Sequence, residues 1–135
     1  MNPVLTSEIY WLVLTILMTA VLWVPYILNR MLEQGIGTAL WDPLGRTETR
    51  KGWADRMMKA HTNAVENLVI FAPLVILIQM FSLNNETTTL ACMIYFFARL
   101  LHYICFTLAV PVLRIVTFAT GFVMQLILTF TLLGV

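Results

Sequence analysis

Four stretches of this chain are apolar over a length that crosses a bilayer, which takes about 20 residues at about 1.5 Å of helix per residue. The pattern predicts helices over about 7–28, 53–82, 87–109 and 112–133. The second begins polar near Trp53 and is fully apolar only from Leu68. The 29–52 connection carries Gly35, Gly37, Pro43 and Gly45 among several charges and reads as the one long hydrophilic segment. The two later connections are short, and short links make neighbouring helices antiparallel. The fold class expected is an all-α integral membrane protein, an up-down four-helix bundle forming a single domain over 1–135. Thr87, Thr88 and Thr89 are placed to cap the third helix with their hydroxyls. The first apolar stretch exceeds a signal-peptide core and lacks a basic start, so it reads as a retained helix.

The polar residues inside these stretches are not scattered. A helix advances about 100° per residue, so Asp55, Arg56, Lys59, Thr62, Asn63, Glu66 and Asn67 share an arc of about 140°. His61 faces away from it, which suits a capping or interface role. On the third helix Arg99, His102, Tyr103 and Phe106 share a face with Tyr95, and on the fourth Arg114, Thr117, Gly121 and Gln125 do so. In an up-down arrangement all of these fall in one half of the membrane, together with Arg30 at the end of the first helix. Tyr95 and Trp53 read as packing and interface-belt residues.

Composition agrees with the bilayer as solvent: of 135 residues 60% are hydrophobic and 11% charged, with a mean hydropathy of +0.86. The formal charge of +1 gives no basis for nucleic-acid binding. Lys and Arg gather at the first connection and at Arg114, and the opposite ends have none. The positive-inside rule therefore puts the first and third connections in the cytosol and both termini outside. Cys92 and Cys105 lie 13 residues apart in one helix, about 20 Å along its axis, and cannot bridge. No metal-type Cys/His spacing occurs.

An ionisable group inside a membrane costs about 2.5–3.5 kcal/mol on insertion scales and is paired or functional as a rule. Glu66 and Arg99 are the deepest charges. A Glu66–Arg99 pair serving assembly and a ligand site are both consistent with the pattern, whereas Lys59, Arg56 and Arg30 are close enough to the interface to snorkel. An excess of cations beside Asn63 and Glu66 fits a small zwitterionic or anionic ligand, and a nearby positive charge also favours a thiolate.

The run from Asp55 to Asn67, with its Ala60-His61, Asn63 and Glu66 in register, resembles the signature of the MAPEG family, the membrane-associated proteins in eicosanoid and glutathione metabolism. Ala98 to His102 resembles the family's third-helix motif and Arg114 to Phe118 the start of its fourth. The resemblance implies a homotrimer that binds glutathione between subunits in the cytosolic half of the membrane. By motif match Arg30, Lys59, Asn63, Glu66, Arg99 and His102 hold the tripeptide, with Tyr103 one turn from the usual tyrosine position, and Arg114 stabilises the thiolate. The implied co-substrate is a lipophilic electrophile or organic hydroperoxide arriving from the membrane lipid, with no metal. The sequence departs from the eicosanoid branch at Thr62, where that branch carries arginine, at Phe106, where it carries tyrosine, and at Ile115, which replaces a hydroxyl residue of one prostaglandin-forming member. These departures point to a general detoxification enzyme of bacterial type, in the inner membrane. A small transporter using Glu66 as a buried carboxylate and a non-catalytic glutathione-binding protein stay open as alternatives.

Overall fold

The computed structural model describes residues 4–46 and 48–135, all helix and connection with no strand among them. The elements are α1 (Ser7–Val21), α2 (Val24–Gln34), α3 (Ile36–Leu40), α4 (Gly52–Met80), α5 (Glu86–Thr107) and α6 (Pro111–Leu133). Among the described residues four stretches are long and apolar enough to cross a membrane: Ser7–Gln34, which combines α1 and α2, then α4, α5 and α6.

The first span differs from the expected straight helix ending near Leu28. It breaks at Leu22–Trp23 and continues to Gln34. Pro25 has no N–H to give the carbonyl of Val21, so the α-helical ladder cannot run through. Two side chains from the other helices serve carbonyls beside the break. The Tyr103 hydroxyl on α5 donates to Leu22 O at 2.8 Å, and His61 Nε2 on α4 lies 2.9 Å from Thr19 O. A carbonyl only accepts, so Nε2 carries the imidazole proton, and Nδ1 accepts from the Tyr26 hydroxyl at 2.7 Å. His61 thus holds α4 against both halves of the first span, as its position opposite the polar arc suggested.

Capping at α5 also differs from expectation. Asn85 is the N-cap, its side chain accepting from Thr88 N while the Thr88 hydroxyl accepts from Asn85 N. Asn85 sits one position before the helix, where its side chain reaches the third amide, and the three threonines already lie inside the first turn. At that same end Glu8, only 2% exposed, accepts from the hydroxyls of Thr88 at 2.6 Å and Thr89 at 3.0 Å. This ties the start of α1 to the start of α5.

α4 and α5 pack on each other, and each touches both α1 and α6, so the central pair stands between the first and last spans. One half of the bundle is closed by Leu12, Phe71, Val75, Ile78, Tyr95 and Leu128. In the half bearing the 35–51 connection the core is thinner: Met18, Leu22, Ala60, Ala64 and Tyr103. Ala60 and Ala64 let α4 approach α1 closely, and the polar face of α4 is left over for other contacts.

Candidate functional site

Arg99, on the face of α5 between α4 and α6, is 2% exposed. Its guanidinium donates to Asn63 Oδ1 and Asn67 Oδ1, each at 3.3 Å. It lies 5.2 Å from the ring centroid of Tyr95 and 5.1 Å from that of Phe118. Tyr95 is itself held by stacking on Phe71, ring centroids 3.7 Å apart. Asn67 is oriented by its own amide, which donates to Asn63 O at 2.9 Å, and its backbone carbonyl accepts from Gln125 at 3.2 Å. Space for the guanidinium against α6 exists because residue 121 is glycine: a Cβ there would stand 2.5 Å from Nη2. Amide oxygens and aromatic faces compensate a buried cation only in part, and no carboxylate pairs with Arg99 among the described residues. Its Nε–H has no partner either.

His102 follows one turn later. Its Nδ1 lies 2.9 Å from the carbonyl of Arg114, so Nδ1 carries the proton and Nε2 presents a lone pair, buried and without a partner. The Arg114 guanidinium lies 5.1 Å over the Phe106 ring. Asn63, His102, Phe106, Arg114, Ile115 and Phe118 line an open cleft of about 210 Å³ where α4, α5 and α6 meet. That is below the usual range of about 300–1,000 Å³ for a small-molecule site. The cleft holds a cationic end at Arg114, a buried acceptor at His102 and an amide at Asn63, with Arg99 directly behind. It suits a ligand that is anionic and can also donate.

Of the residues singled out in the sequence, the structure brings Asn63, Arg99, His102 and Arg114 together. Of the other residues expected to hold the ligand, Glu66, Lys59, Tyr103 and Arg30 are not at this cleft. Glu66 is exposed on α4 and does not pair with Arg99; the amide of Asn67, one residue further round the helix, takes that place. Lys59 is exposed and pairs with Asp55 at 2.9 Å one turn away. Tyr103 turns toward the first span, its hydroxyl used at the break there. Arg30 is on the far side of the bundle, paired with Asp42 at 2.6 Å beside a cavity of about 20 Å³ lined by Tyr26, Thr49 and Met58. Arg56, which the sequence left able to snorkel, donates from Nε to Thr107 O at 2.8 Å and serves a carbonyl at the end of α5.

Sequence reasoning gave no role at Arg99 to Asn67, Phe118, Tyr95 or Gly121. The signal available was their placement on the same helix faces as Asn63, Arg114 and Arg99.

Outside the spans, Asp42 is the charged group that the fold shifts. Burial would raise its pKa, but the amides of Arg46 and Leu44 and the guanidinium of Arg30 outweigh this and hold the carboxyl below the usual carboxylate range.

The family model described as MAPEG family matches residues 9–134. The chain belongs to the MAPEG family. The match covers three spans in full and the first from residue 9, so the cleft lies within the family domain, and the chain is an integral membrane protein of a glutathione-related family. No curated protein and no solved structure matches this MAPEG chain.

Proposed function

We propose that this MAPEG protein is a glutathione-dependent transferase or peroxidase acting on lipophilic electrophiles or organic hydroperoxides. The observation that carries the reading is Arg99, a buried guanidinium with amide and aromatic neighbours but no anion among the described residues, directly behind a cleft whose mouth holds Arg114. A ligand carboxylate or thiolate supplies the missing charge.

Arg114 lowers the pKa of the bound thiol, which loses its proton to water, and the thiolate is the nucleophile. With an electrophile it forms a carbon–sulfur bond as the leaving group departs with the bonding pair. With a hydroperoxide it attacks the terminal oxygen, the peroxide bond breaks with its electron pair going to the alkoxide, and the alkoxide takes back from water the proton the thiol lost and leaves as the alcohol. The resulting sulfenic acid condenses with a second glutathione to give the disulfide and water. Phe106 provides a ring face beneath Arg114 but no hydroxyl to donate to the sulfur, so rates rest on the cation alone.

We further propose that the working unit is a homotrimer with glutathione between subunits. α4 and α5 stand between the first span and α6, so Arg30 and Arg114 of one subunit lie on different sides of that central pair. Glu66 and Lys59 face outward, as they must to meet a ligand held partly by a neighbour. In this arrangement the charged connections face the cytosol of a bacterial inner membrane.

The test is ultraviolet difference absorbance of purified protein titrated with glutathione. A thiolate band is expected in the parent and lost in Arg114→Ala. Calorimetric binding without a band in the parent overturns the enzyme reading in favour of a binding protein, and no binding at all removes glutathione.

A further inference from the structure

The 35–51 connection has an apolar side that the bundle does not use. Ile36, Leu40, Trp41 and Leu44 are all largely exposed, Trp41 at 88%, and so is Leu32 just before them on α2, at 86%. Two polar groups of the same segment, Asp42 and Thr49, turn toward α2. Asp42 bonds Arg30, and Thr49 donates to Glu33 at 2.9 Å and accepts from Asn29 at 3.0 Å, which fastens the segment to α2 at two points. The apolar side chains are therefore displayed by a held backbone.

We infer that this segment lies in the membrane interface, with the apolar side chains of 32–44 seated in the headgroup and upper acyl region of an anionic leaflet. Three observations select lipid as the occupant. First, Ser7–Gln34 spans 28 residues, about 42 Å, against a hydrocarbon core of about 30 Å, so α2 ends at headgroup depth. Second, Gly35, at φ 81°, turns the chain there, and Ile36 and Leu40 continue from the exposed Leu28 and Leu32 of the span itself. The patch is an extension of a surface that already meets lipid. Third, the exposed Arg46, Arg50 and Lys51 follow immediately, in reach of phosphates, while Trp41 has the mixed apolar and polar character that favours the interface. A segment that reads as a hydrophilic loop from its sequence is an interfacial element by its exposure pattern.

The test uses the full-length protein in nanodiscs of phosphatidylcholine and phosphatidylglycerol carrying brominated chains. The Trp41 signal is isolated as the difference in emission between the parent and Trp41→Phe, a substitution at an exposed position. A Trp11→Phe, Trp23→Phe, Trp53→Phe variant reports the same residue directly. Bromine placed near the headgroups is expected to cut Trp41 emission roughly in half, with weaker quenching by bromine at the chain ends and by aqueous acrylamide. Strong acrylamide quenching with no effect of bromolipid overturns the inference and returns the segment to water. Protection from both quenchers, lost when subunits are dissociated, overturns it in favour of a second copy of the chain as the occupant.

Discussion

Gly121 on α6 faces the guanidinium of Arg99 on α5 so closely that a methyl group in place of its α-hydrogen would stand 2.5 Å from Nη2. On its other sides Arg99 meets Asn63, Asn67, Tyr95 and Phe118. Gly121→Ala is expected to push the guanidinium off its two amides or force α5 and α6 apart. Overpacking of this kind costs about 1–3 kcal/mol. A lowered thermal midpoint in detergent, together with at least tenfold weaker glutathione binding, is the expected pair of results. Unchanged values for both would mean that Arg99 does not need its place against α6.

Arg99→Met separates stability from binding. Removing an under-compensated buried charge and filling its volume with an apolar chain is often neutral or stabilising, by as much as about 1–4 kcal/mol. The variant should therefore melt no earlier than the parent while glutathione affinity, measured by calorimetry, falls by an order of magnitude or more. Loss of stability with affinity retained would assign Arg99 to assembly of the bundle.

Tyr103→Phe deletes the hydroxyl that serves Leu22 O at the break in the first span. Hydrogen bonds between membrane helices are worth about 0.6–2 kcal/mol, and a loss in that range is expected in unfolding from mixed micelles. The thiolate signal should be unaffected, since the hydroxyl does not reach the Arg114 cleft. A diminished thiolate signal at unchanged stability would return Tyr103 to the ligand site.

The fastening of the connection depends on an ionised Asp42. Its folded pKa is depressed, so the contribution is complete above the ordinary carboxylate value of about 3.9 and is lost as pH falls through the lower folded value. Protection of the Leu44 and Arg46 amides, read by hydrogen exchange corrected for intrinsic rate, should persist at pH 5 and disappear only below about pH 4. Asp42→Asn should weaken that protection at neutral pH and abolish the acid step. An acid step that survives in Asp42→Asn would place the titrating group elsewhere.

The spans, their order and the family were legible in the residues. Apolar length alone fixes how many times a chain crosses a bilayer, and the Asp55 to Asn67 signature is local and in register. The facing of Arg99, His102 and Asn63 was legible for the same reason, because helical periodicity fixes which side chains share a side. What local pattern leaves undetermined is which sides meet. Glu66 and Asn67 are adjacent in an arc of polar residues, and only the packing of α5 against α4 gave Arg99 the amide rather than the carboxylate. Tyr103 shares a face with Arg99 within the error of a helical wheel, yet the broken first span draws its hydroxyl to Leu22. The break follows from Pro25 in the sequence, but the donors that serve its neighbouring carbonyls come from residues 42 and 81 positions away, and no local rule selects them. The separation of Arg30 from Arg114 is likewise a consequence of the order of helices around the bundle. Periodicity specifies a helix surface one residue at a time, and tertiary packing chooses among surfaces by the summed fit of many side chains.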